Sequence, residues 1–541
     1  MDKSNVRLVG GADRRAVTSP GLESRGWRHA APLILLGVIV LLVLGSRLWQ
    51  ARDSLWLDEL HTAWSAMGSW GEVSQRAAQG NQSPLFFQLL WVLVRGLGAS
   101  EWVLRLPSLV SGTLLPVALY FVTRRWTGSA WLGLLPAWLA AVDAQTIYFG
   151  TEARPYALIQ LVAVLHVFHF ARLVERPTLA RRAVFVGGLL LLFHLHYTAV
   201  LLVVAELAFF AIDRGLRRRD GRYSWAAVGV DLTVFAILSL GALGGLQSVY
   251  LRRGNWAAFV EQRSWWQATA VIPWASFAVV TIAVAALGRR RRTEPEGVHG
   301  RGDGLTESLL PFLWLFVPVL LTWIVTATDL ARLLHPRYVA ASAPAALVLT
   351  AIALRAVPWR SFAVAVSIIL SIAAPWMSQL PQELRTSGRL IAWRTDDWRS
   401  AVRYFNGLPG HELGPVLVRT TLLESDGLRL GSDARLADYC LLPVTSLYPI
   451  DARRDRLIAL SRSNAWRLPA IELQLLRASN GFWLISSGSS ASADEIAREL
   501  ARSMERASRG DAATGATAWA VASQASFGSV RVTRIEPSTT Q

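Results

Sequence analysis

The sequence predicts a polytopic α-helical membrane protein with about eleven transmembrane helices, followed by a small C-terminal α/β domain. Three observations carry this. Apolar runs long enough to cross a bilayer recur between Ala31 and Trp376, arginine clusters alternate with them on one predicted side, and the apolar runs stop near Met377.

The first observation begins with composition. At 52% hydrophobic and 17% charged over 541 residues, the chain holds more apolar residue than a soluble core consumes. A hydrocarbon layer of roughly 30 Å takes about 20 mostly apolar helical residues per crossing. Runs of that kind cover 32–49, 104–123, 130–149, 156–172, 183–196, 198–213, 226–246, 268–288, 309–327, 339–355 and 359–376, the fifth being the shortest. The basic stretch before the first run resembles a signal peptide, but no small-residue cleavage site follows, so the run reads as an uncleaved helix.

Charge then sets orientation. A net charge of +17 in a soluble protein would suggest nucleic acid, but here the arginines sit between apolar runs, at the N-terminus, at Arg124/Arg125 and over 172–182, 214–222 and 289–301. That is the positive-inside pattern: these clusters face the cytoplasm, and nucleic acid is not an expected partner. The opposite face receives the loop 50–103, the turns at 148–155 and near His196, the loop 247–267, the stretch 328–338 and everything after 377. Many of the 24 tryptophans, Trp49, Trp56 and Trp376 among them, flank predicted spans as interfacial anchors. Within the first outer loop, 84–95 is apolar but too short to cross and reads as an interfacial helix, whereas 289–304 is polar, Gly-rich and expected to be disordered. A single cysteine, Cys440, excludes an internal disulfide framework.

The expected division is a cytoplasmic tail 1–30, a membrane domain 31–378 with its structured loop, and an extracytoplasmic domain 379–541. In the last part, 414–420, 481–488 and 529–535 look like strands and 493–507 like a helix.

Three outer-face motifs carry chemistry. Asp58 and Glu59, in Trp-Leu-Asp-Glu just outside the first span, are adjacent carboxylates beside hydrocarbon, where a charge is costly unless paired or used. Their bland reading is solvated loop charge. The turn Tyr148 to Tyr156 carries Glu152 and Arg154, which could equally form a loop ion pair, with Pro155 suited to open the next helix. His335-Pro336-Arg337-Tyr338 offers a guanidinium whose planar fork suits phosphate, or else a snorkelling arginine with a tyrosine anchor. His194, His196 and Tyr197 read as polar packing residues rather than metal ligands.

These pieces in this order resemble the C-type glycosyltransferases, specifically the family 39 group related to dolichyl-phosphate-mannose protein mannosyltransferases and bacterial aminoarabinose lipid A transferases. The resemblance rests on W-L-D-E, S-P-L-F-F at 83–87, E-A-R-P-Y at 152–156, H-P-R-Y at 335–338 and the following extracytoplasmic domain. The chain departs from the family's usual histidine-containing first-loop motif, with Asn81, Gln82 and Ser83 before Pro84.

The resemblance implies a multi-pass enzyme of the bacterial inner membrane that moves a sugar from a polyprenyl-phosphate carrier to an acceptor hydroxyl on a glycan, lipid or protein, with inversion. On that reading Asp58 is the general base, its pKa raised by shielding from water, and Glu59 orients the acceptor or its neighbour. Arg154 and Arg337 stabilise the leaving lipid phosphate, Glu152 holds Arg154 or binds a substrate hydroxyl, and Tyr156 and Tyr338 complete the substrate-binding set. A divalent metal is open, with Asp58, Glu152 and His335 as candidate ligands. A transporter or flippase is the alternative, but charged residues at mid-span, which transport favours, are nearly confined to Glu206 and Asp231.

Overall fold

The computed structural model describes residues 22–217, 223–254, 303–357, 359–411, 414–428, 434–463, 470–509 and 518–538, with scattered positions between 260 and 282. Helices α1 (Leu22–Gln50), α5 (Glu101–Thr127), α8 (Tyr156–Glu175), α13 (Asp303–Ala327) and α15 (Arg360–Met377) contain the long apolar stretches. By length and composition, five spans among the described residues can cross a membrane, and two bent helix pairs raise this to seven. The chain is a multi-pass membrane protein.

The first bent pair, α6 (Ala130–Val142) and α7 (Ala144–Gly150), turns by 69° at Asp143. Asp143 ends one helix and caps the next, accepting from the Thr146 N–H at 2.7 Å. The carbonyls that α6 leaves open at its end are taken by buried Arg47, which donates to Ala140 at 3.1 Å and Ala141 at 2.9 Å. The second pair, α11 (Trp225–Leu238) with the segment Leu240–Leu251, whose last part is α12 (Leu243–Leu251), bends by 43°.

Predicted spans 183–196, 198–213 and 339–355 fall on shorter helices, α9 (Leu179–Leu195), α10 (Leu201–Arg217) and α14 (Ala343–Ala356). At 1.5 Å per residue, a 17-residue helix such as α9 reaches only about 25 Å, so the hydrocarbon layer slightly exceeds it. Most of span 268–288 lies outside the described residues; every other predicted span falls on a helix or a bent pair. The stretch 289–304 also lies outside them, except that Asp303 and Gly304 open α13. The mid-span acids are paired: Glu206 lies 2.9 Å from His166, and Asp231 lies 2.7 Å from Arg182. Both are structural ties between neighbouring helices.

The first outer loop is folded into α2 (Leu57–Met67), α3 (Trp70–Gln79) and α4 (Leu85–Leu97). In α4, Phe86, Phe87, Leu90 and Val94 are buried, while Leu89, Val92 and Leu97 are exposed. The helix predicted at 84–95 is present and leaves an apolar face outward, as an interfacial helix does.

After α15, α16 (Leu380–Ser387) and α17 (Trp398–Asn406) lead into a five-stranded sheet. Its strands are β1 (Val416–Arg419), β2 (Leu457–Leu460), β3 (Phe482–Ser487), β4 (Ala518–Phe527) and β5 (Val530–Ser538), in the order β2-β1-β3-β5-β4. The first three pair in parallel and the last two antiparallel. Strands β1 and β3 are buried on both faces, which accounts for their unbroken apolar runs. Helices α18 (Ala434–Cys440), α19 (Ala470–Arg477) and α20 (Ser490–Arg509) complete the α/β part. Strands β2 and β4 were not legible: β2 has four residues, and β4 is largely exposed and small-residue rich.

Candidate active site

Asp58 and Glu59 lie in the first turn of α2, where open backbone N–H groups favour negative charge. Consecutive helical residues point in different directions, and the two carboxylates accordingly have different fates.

Glu59 faces inward and has no exposed side-chain surface. Arg105, equally buried, grips it with two donors: Nε to Oε1 at 2.7 Å and Nη2 to Oε2 at 2.6 Å. The Ala153 N–H also donates to Oε1, at 2.8 Å. Burial pushes the Glu59 carboxyl up, but Arg105 and Arg394 outweigh it and hold the group below the usual carboxylate range. Arg105 spends its remaining donors on the carbonyls of Ala51, Asp53 and Ser54. Glu59 therefore locks α1, α2, α5 and the 151–155 turn to one another, holding its neighbour Asp58 in place.

Asp58 faces a partly open space, its side chain 26% exposed. Arg337 Nη1 donates to Oδ2 at 2.8 Å, and Arg154 Nη2 stands 3.6 Å from the same oxygen. Burial raises the Asp58 pKa, yet Arg337 and Arg154 more than reverse this, and the carboxyl lies below its ordinary value. The expected rise is thus reversed, because two guanidinium charges outweigh the shielding.

The turn between α7 and α8 delivers Glu152 and Arg154. Pro155 sits at the start of α8, as its fixed φ favours. Arg154 points to Asp58 and also approaches His61 Nδ1 and Thr62 Oγ1, each at 3.5 Å. Glu152 turns instead toward Arg337, 3.8 Å away, and both of its buried oxygens lack a hydrogen-bond partner among the described residues. Burial pushes this carboxyl up to about 7, against Arg337, Arg394 and Arg154.

Arg337 is the hub. It lies over the rings of Trp56 at 5.1 Å and Tyr156 at 5.9 Å, and its Nη2 stands 3.4 Å from Tyr148 Oη. The His335 to Tyr338 segment is a tight turn in which the Tyr338 N–H donates to the His335 carbonyl at 3.0 Å. Tyr338 packs on His196 at 5.7 Å between ring centres, and His196 on Tyr156 at 6.0 Å, so these residues form an aromatic wall. Beside Arg337 opens a cavity of about 510 Å³ whose lining includes Tyr148, His335, Trp274 and Trp393.

The motifs at 56–59, 152–156 and 335–338 therefore converge on one point. Among the described residues, no group of three His, Cys, Asp or Glu side chains is arranged to hold a metal, so Asp58, Glu152 and His335 do not form one. Sequence reading missed Arg105, which stands in a predicted span where an arginine is costly and so was itself a signal. It also missed Arg394, which reaches back from beyond α16 to donate to the carbonyls of Tyr148 at 2.9 Å and Thr151 at 3.0 Å. Nothing in the local pattern around Arg394 marks it.

Comparison with solved structures decides the fold. ArnT from Cupriavidus metallidurans, in its apo crystal structure, matches at a TM-score of 0.50 and 12% identity, over 95% of this chain and 98% of that one. The chain has the ArnT fold. The crystal structure of ArnT bound to undecaprenyl phosphate matches at a TM-score of 0.46 and 13% identity, over 94% of this chain and 98% of that one. The family model described as dolichyl-phosphate-mannose-protein mannosyltransferase matches residues 81–240, a stretch that includes Glu152, Arg154 and Tyr156. No curated protein sequence matches the chain. On this ArnT-like fold, α2 and the turns at 151–155 and 335–338 form the polar centre.

Proposed function

We propose that the protein is a membrane glycosyltransferase that moves a sugar from a polyprenyl-phosphate carrier to an acceptor hydroxyl at the extracytoplasmic face, with inversion at the anomeric carbon. The observation that carries this is the meeting of one carboxylate, Asp58, with two guanidinium groups, Arg337 at 2.8 Å and Arg154 at 3.6 Å. The ArnT-like fold and the mannosyltransferase family model are consistent with it.

Asp58 accepts the proton of the acceptor hydroxyl as that oxygen attacks the anomeric carbon. The bond from that carbon to the phosphate oxygen breaks on the opposite face, which inverts the centre. The lipid phosphate leaves with added negative charge, and Arg337 and Arg154 stabilise it. Before substrate arrives, the same two cations hold the Asp58 pKa down. Once a phosphate neutralises them, Asp58 becomes a stronger base, so donor binding activates the general base. Glu59 acts through Arg105 as a positioning residue. Glu152, Tyr156 and Tyr338 line the substrate side. The acceptor is a glycan, lipid or protein hydroxyl, and the site is that of a bacterial inner-membrane enzyme.

The test is sugar transfer from a panel of radiolabelled polyprenyl-phosphate sugars into endogenous acceptors. Membranes holding wild-type protein are compared with membranes holding Asp58→Asn at equal expression. Transfer that disappears in the variant establishes the class and names the donor. Equal transfer in both, or none from any carrier, turns the reading toward a transporter or flippase.

A further inference from the structure

Glu152 is not the only carboxyl near Asp58 whose oxygens are left open. Glu424, in the α/β part, sits in the single turn Leu423–Gly427 between β1 and α18. Both of its carboxyl oxygens are sealed from solvent, and among the described residues neither has a hydrogen-bond partner in another residue. Burying a carboxyl is costly unless something supplies donors. Beyond Glu424's own backbone N–H, the described residues offer none, which leaves acceptor capacity for a ligand.

The position of this turn relative to the site is fixed. Helix α18 packs on it and carries Tyr439 into edge contact with His61 at 5.7 Å and Trp64 at 5.3 Å. Trp64 Nε1 also donates to Asp438 at 3.3 Å. His61 in turn stands 3.5 Å from Arg154, the second cation on Asp58. Glu424 is thus tied through α18 and α2 to the reacting carboxylate. Burial pushes its carboxyl up to about 7, opposed first by a hydrogen bond from its own backbone N–H and then by Arg252 and Arg462, with the Asp58 charge adding to the rise.

Resting on the glycosyl-transfer reading above, we propose that Glu424 reads the transferred sugar, accepting hydrogen bonds from its ring hydroxyls while the anomeric carbon lies at Asp58. A carboxylate has two oxygens and room for a vicinal pair of hydroxyls, and hydroxyls are the donors that a sugar supplies and a prenyl phosphate lacks. A site built to bond a hydroxyl also rejects a sugar that lacks it, because the carboxyl is then left buried and unpaired. The α/β part thereby supplies specificity to a reaction whose acid-base and phosphate groups come from the membrane part.

The experiment measures thermal stabilisation of the full-length protein in detergent by undecaprenyl phosphate and by undecaprenyl phosphate carrying mannose, glucose, galactose or arabinose. Wild type is expected to respond to the bare carrier and to bind one sugar-bearing carrier more tightly. Glu424→Met, which removes both acceptors at similar volume, keeps the bare-carrier response and loses at least tenfold in affinity for the sugar-bearing one. Glu424→Gln, which keeps one acceptor, falls between. A sugar increment unchanged in both variants overturns the role of Glu424 and leaves the glycosyl-transfer reading standing. Loss of the bare-carrier response in both variants makes Glu424 structural and also overturns its role. A wild type indifferent to every carrier overturns the glycosyl-transfer reading, and this one with it.

Discussion

The Arg337 guanidinium donates to the Asp58 carboxylate at 2.8 Å, although 279 positions separate the two in the chain. Arg337 is held over Trp56 and Tyr156, and Asp58 is held by the first turn of α2, so neither side chain has to reorganise to meet the other. Both are 26% exposed, which leaves the pair reachable by substrate.

If Asp58 is the base and Arg337 receives the leaving phosphate, each single substitution removes a different part of one transition state. Asp58→Asn is expected to lower transfer by about 10²–10⁴-fold, the range of general base catalysis. Arg337→Ala lowers it comparably, and the double variant is little worse than either alone because the two groups act as a unit. Initial rates of sugar transfer for the four proteins check this. Strictly multiplicative losses would show that the residues act independently.

Glu59 and Arg105 make the opposite kind of pair, with no exposed side-chain surface on either partner. Breaking a buried pair leaves one charge uncompensated and costs about 3–5 kcal/mol. Glu59→Gln and Arg105→Met are therefore expected to lower the unfolding temperature and membrane yield sharply, while Asp58→Asn leaves both near wild type. Melting curves of the purified variants separate the two acids, although they are neighbours in sequence. A stable Glu59→Gln protein would deny Glu59 its positioning role.

Glu152 gives the site a pH signature. Its carboxyl rises from the ordinary 4.5 to about 7, chiefly through burial. A raised carboxyl favours the folded state while protonated, so its contribution is complete below about 4.5 and lost as pH climbs through about 7. Above that range the ionised group also competes with phosphate for Arg337, and transfer should fall. Glu152→Gln is expected to remove this alkaline limb from the rate profile and flatten the melting temperature over the same range. Identical profiles for the two proteins would refute the assignment.

How much of this the sequence revealed depends on the range of the signal. Apolar runs of bilayer length are local, so nearly every predicted span met a helix. As candidates, Asp58, Glu59, Glu152, Arg154, Tyr156, Arg337 and Tyr338 were legible because each stands in a short polar motif at the end of a span. Their division of labour was not. Which of two adjacent acids faces inward depends on the phase of α2 against α5, and Arg105, one turn into an apolar helix, settles it from 46 positions away. Likewise the lowering of the Asp58 pKa needs two cations from distant turns, and sequence spacing shows only the hydrophobic surroundings that push the other way. The 69° break at Asp143 was hidden for a similar reason: Arg47, which compensates it, belongs to another helix.

Arg394 belongs to the part of the chain after α16. It donates to the carbonyls of Tyr148 and Thr151 around the end of α7 and lies over the Tyr148 ring at 4.5 Å. Those carbonyls begin the turn that carries Glu152 and Arg154, so Arg394 fixes the turn from outside the helix bundle. Removing it leaves the Thr151 carbonyl without its donor, at about 1–3 kcal/mol, while the Tyr148 carbonyl keeps the Thr151 N–H at 3.2 Å. Arg394→Ala is therefore expected to cut the rate of transfer several-fold while leaving carrier binding within a few-fold of wild type, because the turn still exists but holds Arg154 less rigidly. Limited proteolysis should cut the variant faster within 388–397, where the anchoring bond is gone. Truncation after Met377 removes Arg394 and Glu424 together, and its product should bind undecaprenyl phosphate yet transfer no sugar. Transfer by the truncated chain at the wild-type rate would make the α/β part dispensable and reduce Arg394 to a packing residue.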